Sequence, residues 1–160
     1  MAEIILGISP GTRIIGIAVL RNGELIDYGV KCFKERWTQT KKRSLLSNVD
    51  KLMEYYGVTV VAIKSCDPTR SSQQLELLSK EIVKVCESKK ITVYSYGNAT
   101  LKLSLGIKSR NKNALMAEIA ELYPELRKMY LKEINNRHSY YEKMFEAIAL
   151  IKWCQLENEL

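Results

Sequence analysis

The 160-residue chain contains one histidine, His138, three prolines and two phenylalanines, and its four cysteines include no Cys-x-x-Cys pair. A single histidine excludes a His-rich metal site and a repeated histidine acid/base system. Cys32, Cys66, Cys86 and Cys154 are scattered, which excludes a zinc knuckle or a thioredoxin-type dithiol and leaves reduced thiols as the reading. Any metal held here would be a hard cation with oxygen ligands. Long apolar runs are also missing: residues 58–63 supply about a third of what a bilayer span needs. Met1-Ala2-Glu3 lacks the basic start of a signal peptide. The expectation is a soluble cytoplasmic protein. At 46% hydrophobic and 27% charged residues, it should form one compact domain over residues 1–160.

Charge is present in excess and unevenly. The 25 Lys and Arg outnumber the 18 Asp and Glu, a formal +7. Between residues 31 and 51 stand Lys31, Lys34, Arg36, Lys41, Lys42, Arg43 and Lys51 against only Glu35 and Asp50. A second stretch, with Lys102, Lys108, Arg110 and Lys112, holds no acid. If the two clusters converge on one face they attract a polyanion, nucleic acid first among them; otherwise they are a solvated surface.

The patterning predicts an α/β fold. Residues 3–8 alternate like a strand and end in a Ser9-Pro10-Gly11 turn; residues 14–20 resume the pattern, and Asn22-Gly23 marks a hairpin before residues 24–33. The period then becomes helical at Leu45, Leu46, Val49, Leu52, Met53 and Tyr56, with Gly57 as the stop. A buried strand at 58–63, a helix over 71–88 and a fifth strand at 91–96 follow. A short helical piece from Ala99, a basic loop at 108–113, helices near 114–123 and a last helix over 139–156 complete the chain. The order β-β-β-α-β-α-β-α gives a mixed five-stranded sheet flanked by helices.

That is the ribonuclease H-like plan, and the residues carry a resemblance to one family within it. The opening ILGISPGTRIIGIAVLRNGELIDYGV resembles the start of RuvC-type Holliday-junction resolvases. VTVVAIK with CDPTRSSQQLELLSKEIV is similar to their second motif strand, loop and helix. NATLKLSLGIKSRNKNALMAEI matches a segment with Lys102, Gly106 and Lys112, and YYEKMFEAIALIKW resembles the C-terminal helix. The likeness spans residues 3–154. Residues 11–19 are also similar to small resolvases linked to ribosomal RNA processing. Ser9-Pro10-Gly11-Thr12 resembles the phosphate hairpin of actin-like and sugar-kinase-like ATPases, which need two such lobes where this chain supplies one.

The resemblance implies phosphodiester hydrolysis with two magnesium ions, held about 4 Å apart by carboxylates that activate water and stabilise the leaving oxygen. It implies acids at three places. Here the first holds Ser9 and the second Lys64; only the third keeps its charge, as Glu146, with Glu142 one turn before. One charge unit at Ser9 and two at Lys64 of the +7 therefore come from missing acids. A hydroxyl binds a metal weakly, and an ammonium repels one. The residues predict instead that Lys64 pairs with Glu146 across the sheet end. A displaced single-metal site would use Glu142, Glu146 and Asp67; the plain alternative makes Glu142 a helix-surface acid and Asp67 a turn former ahead of Pro68.

Residues expected at a nucleic-acid surface are Arg13, Arg70, Ser71, Lys102, Lys108, Arg110, Lys112 and Trp37. Ser71 or Ser72 equally suits a helix cap. One of Tyr94 and Tyr96 is expected to be exposed, Tyr55, Tyr56 and Tyr123 to pack at helix ends, Trp153 to pack in the core, and His138 to be a polar loop residue. The sequence supports three readings. The first is a RuvC-like protein that binds branched or structured DNA, or structured RNA, with little or no cleavage, as a homodimer away from membranes and without a cofactor. The second is a divergent endonuclease using Mg2+, and the third a protein-interaction scaffold on the same fold.

Overall fold

A computed structural model describes residues 3–32, 36–66, 71–97, 100, 112–136, 139–158 and 160. Five strands, β1 (Ile4–Ser9), β2 (Ile14–Arg21), β3 (Glu24–Cys32), β4 (Val60–Lys64) and β5 (Thr92–Tyr96), form one sheet in the order β3-β2-β1-β4-β5. The first three are antiparallel; β4 and β5 join parallel to β1. The β2–β3 hairpin closes on two residues, Asn22 and Gly23, at φ 52° and 80°, the pair of positive values that a two-residue turn of the right twist requires.

The helices α1 (Gln39–Tyr56) and α2 (Gln73–Ser88) cover one face of the sheet, and α3 (Lys112–Leu122), α4 (Arg127–Asn135) and α5 (Glu142–Glu157) lie toward the other. Thr38 caps α1 through its hydroxyl on the Lys41 N–H, and Gly57 ends it at φ 65°, the left-handed stop that glycine adopts without a Cβ penalty. Val58 completes that cap by donating to the Met53 carbonyl. For this reason β4 begins at Val60, two residues later than the apolar run suggested. Ser72, rather than Ser71, caps α2 on the Leu75 N–H.

Alternation along the strands sorts their side chains into two cores. Leu6, Ile8, Val61 and Ile63 meet Leu45, Val49, Met53, Leu78 and Ile82 on the α1–α2 side. Ile5, Val60 and Ala62 meet Phe145, Ile148 and Ile151 on the α5 side, with α3 behind. Every residue of α5 from Met144 to Ile151 is buried, as expected of a helix packed between a sheet and other helices.

Two glycines let α5 sit almost on the strands. A Cβ at Gly7 would lie 2.3 Å from the Ala147 carbonyl oxygen, and one at Gly16 would lie 2.0 Å from that of Lys143. Neither glycine has positive φ; space, not backbone conformation, requires them. The close approach fixes the height of the first turns of α5 over the ends of β1 and β4.

Two elements differ from the sequence expectation. Helix α3 takes in Lys112 and Asn113, where a loop was expected, because the Ala-Leu-Met-Ala run that follows favours helix strongly enough to include them. Beyond it, a 3-10 turn at Pro124–Leu126 and helix α4 were not foreseen. Residues 127–135 have no broad apolar stripe, and among them only Glu133 is buried. Both oxygens of Glu133 accept the Tyr140 N–H, at 2.8 and 3.1 Å, so α4 braces the chain just before α5. Thr100, the one described residue of the helical piece expected from Ala99, is helical; the rest of that piece and the loop through Arg110 lie outside the described residues. No described helix is long and apolar enough to cross a membrane.

Candidate nucleic-acid interface at the sheet end

In the parallel β1–β4 pair, Ile8 stands opposite Ile63. Ser9 and Lys64 come one residue later on the adjacent strands. Side chains alternate across a sheet, so Ser9 follows Ile5 and Gly7, and Lys64 follows Val60 and Ala62, on the face that α5 covers. Helix α5 brings Glu146 to the same place. The Lys64 ammonium donates to Glu146 Oε2. The Glu146 side chain is 7% exposed and that of Lys64 21%, so the pair is protected from solvent without being fully enclosed. This is the pairing expected from the sequence.

A second ammonium reaches this site, and the sequence reading passed over it. Lys143 lies one turn before Glu146 on α5, and its Nζ donates to the Pro10 carbonyl at 3.1 Å. Its stem crosses the β1–β2 turn so closely that a Cβ at Gly11 would stand 2.7 Å from Lys143 Cε. Burial is the main reason that the Lys143 ammonium is held below its ordinary lysine value. Glu146 opposes that shift, Lys64 adds to it, and Glu142 opposes it more weakly. The only sequence signal was its three-residue spacing from Glu146, which places both on one helix face.

Ser9 is fully buried, and its hydroxyl has no hydrogen-bond partner among the described residues. A divalent cation requires several free oxygen ligands. Among the described residues this site instead offers one carboxylate already engaged by an ammonium, a second ammonium and an enclosed hydroxyl. That described donor set does not fit a metal. Among the described residues, no group of three or more His, Cys, Asp and Glu side chains is placed to hold one.

Beside Lys64 an open groove of about 580 Å³ runs between the β4–β5 end and α2, lined in part by Ser65, Cys66, Ser79, Lys80 and Lys84. The Cys66 thiol lies 3.3 Å from the Ser79 hydroxyl. Arg13 is exposed in the β1–β2 turn, Ser71 is half-buried ahead of α2, and Glu142 is half-buried in the first turn of α5. Trp37 packs against the α1-side core, with the Lys41 ammonium 5.8 Å from its ring centroid. Asp67, Arg70, Lys102, Lys108, Arg110, His138 and the Lys112 side chain lie outside the described residues.

In the basic stretch from 31 to 51, Lys41 is buried, Lys42 is bound to Glu81 at 2.9 Å, and Lys31, Arg36, Arg43 and Lys51 are exposed; Lys34 lies outside the described residues. Asp50 is committed to Lys89 at 2.6 Å. Neither of the β5 tyrosines is exposed. Being two residues apart, they share a face, and both pack into the α5-side core; the Tyr96 hydroxyl accepts from Asn158 at 3.3 Å. Tyr123 and Trp153 pack as expected. Tyr55 does not: it is 80% exposed, with only its edge-on contact to Tyr56.

No protein-family model matches the chain, and no curated protein matches it in sequence. Solved structures do match in shape. RuvC from Thermus thermophilus in complex with Holliday junction substrate aligns with a TM-score of 0.73 over 98% of this chain and 95% of that one, at 16% identity. The chain has the RuvC fold. The Holliday junction resolvase of fowlpox virus aligns over 99% of this chain and 100% of its own at a TM-score of 0.56 and 15% identity. A RuvC fold with a five-stranded mixed sheet and flanking helices is the architecture read from the sequence. At such low identity the likeness describes the fold, and the function must be argued from the side chains.

Proposed function

We propose that this protein binds branched or structured nucleic acid, DNA first, through the sheet end of its RuvC fold and does not cleave it by metal-assisted hydrolysis. The observation that carries this reading is the Lys64–Glu146 ion pair. It neutralises the remaining acid and fills with ammonium the place where a cation would be held. Two observations support a polyanionic ligand: the net charge of +7, and the likeness to a RuvC solved with a Holliday junction. The resemblance also supports a homodimer of this single domain. Arg13, Arg70, Ser71, Lys102, Lys108, Arg110 and Lys112 are the proposed backbone contacts, with Trp37 serving mainly to pack.

The test is incubation with a four-way DNA junction, a plain duplex and a structured RNA, each with Mg2+ or Mn2+, for the parent and for Glu146→Gln. Binding that weakens linearly in log–log coordinates as salt rises, without products, is expected. Metal-dependent cleavage that disappears in Glu146→Gln would establish the divergent nuclease instead. Neither binding nor cleavage would leave the scaffold.

A further inference from the structure

The sheet end holds more positive charge than its ion pair accounts for. Glu146 is engaged by Lys64. Lys143, on the same helix face as Glu146, is attracted by that carboxylate more than Lys64 repels it, and Glu142 attracts it more weakly. Desolvating an ammonium is unfavourable unless an anion faces it. The one hydrogen bond that Lys143 makes among the described residues goes to a neutral carbonyl, that of Pro10. Lys64, Lys143 and Glu146 together thus carry a net charge of +1 in a half-buried place, with Glu142 acting on Lys143 more weakly than these neighbours do.

The direct chemical complement is a singly charged anion with more than one acceptor oxygen. An ammonium carries three donors. Lys64 uses one on Glu146 and Lys143 one on Pro10, so both keep donors for a shared ligand. A phosphodiester carries one negative charge and two free oxygens, and with Lys64, Lys143 and Glu146 it sums to zero. Access exists as well: the Lys64 side chain is 21% exposed and Lys143 is only half-buried.

We propose that Lys64 and Lys143 together form a metal-independent clamp for one backbone phosphodiester, with Glu146 as the positioning residue that holds the Lys64 ammonium in place. This rests on the reading of the protein as a nucleic-acid binder and assigns to it the two cations that grip the strand at the sheet end. Glu146 does not touch the phosphate; it fixes the direction of Lys64 and keeps the bound site neutral.

The test uses the full chain and a labelled immobile four-way DNA junction, with affinity measured across a salt series in EDTA and in Mg2+. The parent should bind equally in both. Lys143→Gln should weaken binding about tenfold, the size of one charge-assisted hydrogen bond, and reduce the log–log salt slope by about 0.9. Lys143→Arg, which keeps the charge, should retain the parent's slope. The double variant Lys64→Gln with Glu146→Gln, which removes one charge of each sign, should show the same loss of slope as Lys143→Gln. Melting curves identify any variant that fails to fold; if Lys143→Gln does, the arginine and double variants decide. A junction bound by the parent only in Mg2+, or with an unchanged slope in the folded variants, overturns the clamp while leaving nucleic-acid binding intact. No binding by the parent overturns both.

Discussion

Replacing Lys64 by methionine keeps most of its apolar stem and removes its charge, which makes it the sharpest probe of the sheet end. Glu146 would then be left at 7% exposure with no hydrogen-bonded ammonium, only the nearby Lys143, whose ammonium donates to Pro10. Removing one partner of a buried ion pair costs about 3–5 kcal/mol, because the other charge stays desolvated. The lower end applies here, since the Lys64 side chain is 21% exposed and water can partly solvate the orphaned carboxylate. We therefore expect a loss of about 3 kcal/mol. With a urea slope of about 2 kcal/mol per molar, the unfolding midpoint should fall by about 1.5 M. The double variant Lys64→Met with Glu146→Met removes both charges and should lie within about 1 kcal/mol of the parent, or above it. The cycle thus isolates the pair from general packing loss. A single variant that costs under about 1 kcal/mol, or a double variant as unstable as the single, would refute the claim that this is a desolvated, mutually dependent pair.

Three further outcomes follow from the same geometry. Gly16→Ala should destabilise by about 3 kcal/mol in chemical denaturation, because its Cβ would fall 2.0 Å from the Lys143 carbonyl oxygen and must push α5 off the sheet; a cost near zero would mean that α5 is not seated there. Ser9→Ala should stabilise by about 1 kcal/mol, since the lost hydroxyl is buried and unpartnered among the described residues; destabilisation would reveal a partner. Tyr56 donates to Asp27 at 2.8 Å, and that bond is the main cause lifting its phenol from 10.0 to about 12. The folded-state value is the higher one, so the associated stability is complete below pH 10.0 and disappears as pH rises toward about 12. Because the ring is partly exposed we expect about 1 kcal/mol, lost in Tyr56→Phe at neutral pH; the phenylalanine variant should also lack this alkaline step in melting curves, and an unchanged step would assign it to another group.

The legible parts of this molecule were those decided locally. The Asn22-Gly23 hairpin, the Gly57 helix stop and the alternation of β1 and β4 each depend on a few adjacent residues and survive in the structure. The Lys64–Glu146 pair is separated by 82 positions, yet it was legible because a family resemblance had already put both residues at one place. Lys143 was not, because beside Glu142 it reads as a surface lysine, and only the depth of α5 desolvates it. The basic stretch from 31 to 51 was legible only in part for a related reason: helix periodicity turns Lys41 inward and points Lys42 at Glu81, while Lys31, Arg36, Arg43 and Lys51 reach solvent.

Depth is what links these cases, and two glycines set it. Strand interiors disfavour glycine, so Gly7 and Gly16 within the apolar stretches of β1 and β2 are anomalies already visible in the sequence. Their reason appears only when α5 is in place, with the Ala147 and Lys143 carbonyls resting where side chains would otherwise stand. That approach lowers Glu146 onto Lys64 and brings Lys143 over the Pro10 turn. Had α5 ridden higher, both lysines would be ordinary solvated cations and the replacement of acids by Ser9 and Lys64 would have little energetic consequence. Because it sits low, Lys64 is engaged by Glu146, while Lys143, held by the Pro10 carbonyl and drawn by Glu146 and more weakly by Glu142, is the cation that a bound phosphodiester would meet.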